Sequence, residues 1–277
     1  TKREIIKRKK NISKFVIEKD RGIYHAMNKG IKMSSGKWTI FMNSGDLFYK
    51  KNVLYNFLSE NKMNLFEKVI ADRTKHVTVA LENIFQPQNA SAVLRTSDVF
   101  GIQDVHVIEN DNEYNVNPRV VHGASKWINL HKYNEKENNT LDCINKLKAD
   151  GYKVYGTTPH TDDCLIQDIP LDNKVALMFG TELTGLSDIA MANVDGFVKI
   201  PMYGFTESLN ISVSASICLY ELKKRLKNSD INWQLPEDDK LDQLIVWAKK
   251  VIKDGTLIEK QYLEKLGLKS LQDTNES

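Results

Sequence analysis

The chain has 277 residues, 41% hydrophobic and 27% charged, enough for one sizeable core and a smaller second one. No apolar run approaches the ~20 residues that span a bilayer, and the start "TKREIIKRKKNISKF" lacks the apolar stretch of a signal peptide, so no membrane-spanning segment is expected and the cytoplasm is the expected compartment. Cys143, Cys164 and Cys218 are odd in number, far apart and without CxxC spacing, which argues against a disulfide framework or a zinc site and reads as three free thiols.

The net charge of +3 hides an asymmetry: residues 1–54 hold 14 Lys/Arg against 4 Asp/Glu, and the remainder 25 against 32. The basic end is either a solvated surface or a patch for nucleic acid or a membrane surface. It contains "EKDRGIYHAMNKGIKMSSGKWTIFMNSGDLFY", with a local helix expected over 22–33 and a strand over 38–43. This stretch resembles an internal piece of family 2 glycosyltransferases, with "GIYHAMNKGI" as the helix before the nucleotide-sugar strand and "NSGD" at the metal-binding acidic motif. The resemblance covers a fragment only, and a half-sheet cannot bury its own faces. Asp46 is therefore not expected to bind metal, and 1–54 reads as a non-functional fusion or gene-boundary segment.

Residues 55–76 form a helical extension in this reading. From there, β-branched apolar runs at 77–81, 105–109, 153–157, 175–179 and 196–200 read as strands, separated by helices at 90–100, 140–150 and 187–193. That alternation implies an α/β fold with a parallel sheet over 77–228. Residues 229–277 are purely helical, with Pro236 placed to open a helix and Gly255 to close it.

Three clusters fall at strand ends. In "NIFQPQNASAVLRTSDVFG", Asn89 is placed to cap a helix, and Arg95 lies among Val93, Leu94 and Val99, where a guanidinium needs a partner or a ligand. In "FGTELTGLS", Gly180 and Gly185 flank Glu182 and let the backbone approach a ligand; the spacing is neither GxGxxG nor a P-loop. In "PMYGFTESLNISVSASICLYEL", a helix apolar nearly all round must be buried in the domain or against another subunit; Ser208 as its cap explains the serines but leaves Asn210 without a task. His76, His122, His131 and His160 read as structural.

In this order and spacing the three clusters resemble the SpoU (TrmH) branch of the SPOUT RNA methyltransferases, from about residue 55 to the end. The resemblance implies a homodimer and a parallel sheet whose last segment threads a loop into a deep trefoil knot, an exception to the near absence of knots. It implies an S-adenosylmethionine pocket formed by backbone near Thr157, Gly180, Ile200, Met202 and Leu209, and places Asn89, Arg95, Glu182, Ser208 and Asn210 at catalytic or substrate-contacting positions. The implied reaction is methyl transfer to a ribose 2′-hydroxyl of RNA, without a metal, with Asn210 and Ser208 holding Arg95 or the ribose. A guanidinium, with a pKa above about 12, is a poor base, so Arg95 is assigned to orienting and polarising the hydroxyl or a phosphate. Short helical extensions resemble those of the transfer-RNA enzymes, which makes a guanosine in the D-loop the expected target; a ribosomal-RNA enzyme and a non-catalytic RNA-binding protein are the alternatives. The acidic balance of 55–277 leaves RNA contacts to local clusters: Lys223, Lys224, Arg225 and Lys227; Lys249, Lys250 and Lys253; or Arg119, Lys126 and Lys132.

Overall fold

Short runs of apolar and β-branched residues form β1 (Val77–Glu82), β2 (Asp104–Ile108), β4 (Tyr152–Thr157) and β5 (Lys174–Phe179), joined by two shorter or more polar strands, β3 (Asn129–Tyr133) and β6 (Gly196–Val198). The computed structural model describes residues 54–265 except 56, 115–116, 122 and 160–163, all within the unit Lys50–Ser277. The glycosyltransferase-like stretch, with its expected helix at 22–33 and strand at 38–43, lies outside the described residues, as do His122 and His160.

All pairings are parallel, in the order β3-β2-β1-β5-β4-β6. Every residue of β1 and five of six in β5 are buried, as expected of central strands covered on both faces. One face carries Val77, Val79, Leu81, Val105, Val175 and Leu177 against α2 (Pro87–Val99) and α6 (Ile211–Lys227). The other carries Ala80, Ile108, Val154, Ala176 and Met178 against α4 (Asn139–Ala149) and α5 (Asp188–Asn193). The short helix α3 (Pro118–Val121) lies between β2 and β3.

α1 (Glu60–Ile70) and α7 (Glu237–Val251) meet over Trp127, where Phe66, Trp127 and Trp247 pack edge-on and Trp247 Nε1 donates to the Trp127 carbonyl at 3.0 Å. Pro236 caps α7 as expected, but α7 ends at Val251 and Gly255 opens α8 (Gly255–Lys265) rather than closing a helix. Among the described residues no helix is long and apolar enough to cross a membrane, and no cluster of His, Cys, Asp or Glu could hold a metal. Cys143, Cys164 and Cys218 are thiols, Cys143 and Cys218 buried. His76 Nε2 lies 2.8 Å from the Leu171 carbonyl, and His131 stacks on His106.

Much of the basic surface is already engaged. Lys223 is buried over the Trp233 ring at 3.8 Å and donates to the Asp72 carbonyl at 2.6 Å, with burial bringing its ammonium down to about 8. Arg225 donates to the carbonyls of Ile166 and Ile169 at 3.2 and 2.7 Å, while Lys227, Lys249 and Lys132 pair with Asp72, Glu259 and Glu109.

Candidate active site

Because the sheet is parallel, β1, β4, β5 and β6 present their carboxyl ends to one edge, and the three clusters meet there. The loop after β5 folds back on itself: Thr181 N donates to the Gly185 carbonyl at 2.9 Å, and Gly185 N to the Thr181 carbonyl at 3.1 Å. Gly185 has φ of +70°, and a Cβ on Gly180 would lie 2.2 Å from the Gly185 carbonyl. Both glycines are thus required by the turn itself, and both also line the cavity that the turn borders.

The loop walls a cavity of about 590 Å³, a size suited to a cofactor. Thr157, Gly180, Ile200, Met202 and Leu209 all line it, together with Glu182 and Ser208. The other lining groups include the carboxylates of Glu207 and Asp188, one ammonium, Lys199, and the apolar side chains of Leu183, Leu186 and Met191.

Asn210 joins the clusters. It caps α6, its Oδ1 accepting from Ser212 N at 2.9 Å and from Ser212 Oγ at 2.6 Å. Its Nδ2 donates to Glu182 Oε1 at 2.7 Å and to Asn89 Oδ1 at 3.1 Å. This settles the task left open for Asn210: the cap is Asn210 and not Ser208. Asn89 is not a cap either, because α2 begins at Pro87 behind Gln86 and places Asn89 in its first turn, nearly buried, with Nδ2 donating to Gln86 Oε1 at 3.2 Å.

Arg95 stands apart. Its neighbours Val93 and Leu94 are fully buried, but Arg95 is exposed. Six residues at about 100° each put it on a different face of α2 from Asn89, roughly 9 Å along the axis. Asn210, expected to hold Arg95 or the ribose, bonds Asn89 and Glu182 within the subunit, and α2 turns Arg95 to solvent, away from the buried Val93 and Leu94.

Residues 76–220 match the SpoU rRNA Methylase family, and the "tRNA (guanosine(18)-2'-O)-methyltransferase" of Borreliella burgdorferi is 42% identical over 77% of this chain and 96% of its own. The chain belongs to the SpoU family. A Thermus thermophilus protein of the same name is 30% identical over 69% of this chain and 98% of its own. The crystal structure of the A. aeolicus TrmH/SpoU tRNA modifying enzyme superposes with a TM-score of 0.62 at 26% identity, covering 70% of this chain and 98% of that one.

Two residues at the edge of this SpoU-family site escaped the sequence reading: Glu82, which ends β1 and is only 2% exposed, and Ser187, which caps α5. The available signal was a lone acidic residue closing the apolar run "VTVALE", since a charge is rarely buried without partners.

Proposed function

We propose that this chain is an S-adenosylmethionine-dependent RNA ribose 2′-O-methyltransferase acting on guanosine 18 of transfer RNA. The carrying observation is that all five residues expected to hold the cofactor, with Glu182 and Ser208, line one cavity, whose rim Asn210 ties to Asn89. The names borne by the Borreliella and Thermus relatives support the target.

The lining suits the cofactor: Glu182, Asp188 and Glu207 outnumber Lys199 around a ligand carrying a sulfonium and an ammonium, and Leu183, Leu186, Met202 and Leu209 offer apolar surface to adenine. When bound, S-adenosylmethionine supplies an electrophilic methyl group. The chain's contribution is positioning, which can supply much of the acceleration of an in-line displacement. Glu182 and Asn89 fix the Asn210 amide from two sides, and exposed Ser208 on the cavity wall is free to meet the ribose.

Arg95 enters through dimerisation in this reading. Ala92, Arg95, Thr96 and Val99, spaced i, i+3, i+4 and i+7, form the outward stripe of α2. Beside it, where Thr96 Oγ1 meets Ser216 Oγ at 3.1 Å, α6 exposes Val213, Ile217 and Tyr220. Such an apolar stripe suits a two-fold contact between copies, which would carry each Arg95 to the neighbour's cavity to orient and polarise the hydroxyl or a phosphate. The trefoil knot belongs to the same proposal. Support comes from residues 164–166 running beside Lys199, with Ile166 N to the Lys199 carbonyl and Lys199 N to the Cys164 carbonyl both at 3.0 Å, and from Arg225 of α6 gripping Ile166 and Ile169.

The test is nucleoside mass spectrometry after incubating purified protein and S-adenosylmethionine with transfer RNA or with ribosomal RNA. The expected product is 2′-O-methylguanosine in transfer RNA, mapped to the D-loop. Methylation of ribosomal RNA alone would overturn the target, a methylated base would overturn the ribose chemistry, and cofactor binding without any methylation would favour a non-catalytic RNA-binding role.

A further inference from the structure

Glu82 ends β1 on the sheet face that carries Ala80 and Met178, where its carboxylate is enclosed between the first turns of α4 and α5. Glu82 Oε1 accepts from Thr140 Oγ1 and from Ser187 Oγ, both at 2.6 Å, and Oε2 accepts from Ser187 N at 2.9 Å. The two hydroxyl oxygens are themselves occupied as acceptors, Thr140 Oγ1 from Asn110 Nδ2 at 2.9 Å and Ser187 Oγ from Ala190 N at 3.1 Å. A carboxylate only accepts, so both hydroxyl protons point at Glu82, and all three groups facing it are donors.

Ser187 closes the loop 180–187. The β5 strand holds the loop's first end, the Thr181–Gly185 bridge closes its middle, and Ser187 on Glu82 is its second anchor. The loop carries Gly180 and Glu182 into the cavity, and Glu182 in turn holds Asn210. We infer that Glu82 is a positioning residue for methyl transfer, setting from beneath the sheet edge the loop that walls the S-adenosylmethionine cavity. The inference rests on the cofactor reading given above.

Replacing Glu82 by Gln keeps the shape but turns one acceptor into a donor. In one amide orientation the NH2 group faces the Ser187 N–H, and in the other it faces two hydroxyls whose oxygens already accept. Either way Ser187 keeps only one of its two hydrogen bonds to residue 82, so the cavity wall should loosen while the fold remains. The experiment measures the S-adenosylmethionine Kd and KM, the transfer-RNA KM, and hydrogen exchange of the peptide covering 180–187, for Glu82→Gln, Ser187→Ala and the double variant, well below their melting temperatures.

The expected result is an S-adenosylmethionine Kd and KM raised about tenfold, equivalent to about 1.4 kcal/mol. The transfer-RNA KM should stay unchanged, exchange at 180–187 should quicken, and the double variant should be no worse than the more impaired single one. A folded Glu82→Gln with wild-type cofactor affinity and loop exchange would overturn the inference and reduce Glu82 to a packing role. Additive losses would also overturn it, because the effect would not run through Ser187. If Glu82→Gln does not fold, Ser187→Ala decides alone, wild-type affinity and loop exchange in it being the refuting outcome. A wild-type protein that binds no S-adenosylmethionine would sink the cofactor reading itself, an outcome separate from equal binding by wild type and variants.

Discussion

If Arg95 serves the neighbour's cavity while Asn210 serves its own, two inactive proteins should restore each other. Arg95→Ala removes the group that reaches across; Asn210→Ala removes the amide that joins Glu182 to Asn89. The two changes lie on different helices, α2 and α6, so each leaves the other's contribution intact. Each homodimer alone has no complete site. On random reassortment of equal amounts, about half the dimers are mixed, and each mixed dimer pairs one intact Asn210 with an intact Arg95 from across the interface, so about a quarter of all cavities are complete. The assay follows transfer of a labelled methyl group to transfer RNA after the variants are mixed, partially unfolded and refolded together, with native mass spectrometry counting mixed dimers through a mass tag. Activity near 25% of wild type is expected, within the scatter of refolding. Mixed dimers that are present yet no more active than either parent would refute the shared site and return Arg95 to its own subunit or to no role. Asn210→Ala also removes the α6 cap, a loss of about 1 kcal/mol, too little to unfold the domain.

Three further outcomes test the architecture around the site. His106 is buried against Tyr133 and His131, and desolvation first, then His131, lowers its pKa from 6.5 to about 4; the neutral ring's stability is present above pH 6.5 and lost as pH falls through 4. His106→Phe should flatten the urea-midpoint profile over that window, by on the order of 3 kcal/mol at most. Arg73 pairs with Asp98, donates to the Ile102 carbonyl and lies 5.2 Å over Trp247; Arg73→Ala should cost about 3 kcal/mol and lower the melting temperature by roughly 6–12 °C. Removing residues 1–49 should leave cofactor binding and methyl transfer unchanged, because every site residue lies in the unit that begins at Lys50; loss of binding would overturn the reading of that segment as non-functional.

What the sequence made legible, and what it hid, follow from the same physics. Central strands such as β1 and β5 are covered on both faces, so they must be continuous apolar runs and can be read directly. β3, "NLHKY", is an edge strand with His131 and Lys132 facing solvent, and its composition carries no such signature. The helix starts were misread by two or three residues in the same way: serines and asparagines crowd both clusters, and which residue caps is decided by where the chain turns into the helix, a tertiary property that places Gln86 rather than Asn89 before α2 and Asn210 rather than Ser208 before α6. Arg95 looked buried because its neighbours are apolar, but helical rotation separates it from Val93 and Leu94 within one residue.

The site itself depends on direction. A parallel sheet turns all its carboxyl ends to one edge, so loops that leave β1, β5 and β6 meet although Asn89 and Asn210 are 121 residues apart in sequence. Once there, the polar side chains are satisfied largely by one another: Asn89 by Gln86 and Asn210, Glu182 by Asn210, and Asn210 by Ser212 through its cap. An arrangement closed in this way positions well but leaves few free groups to meet a charged substrate. The guanidinium of Arg95 is exposed and takes no part in that network. In the dimer proposed above, a second copy would bring its Arg95 to a cavity whose lining already includes Lys199, and the exposed Val213, Ile217 and Tyr220 of α6 would give that copy a surface on which to bind.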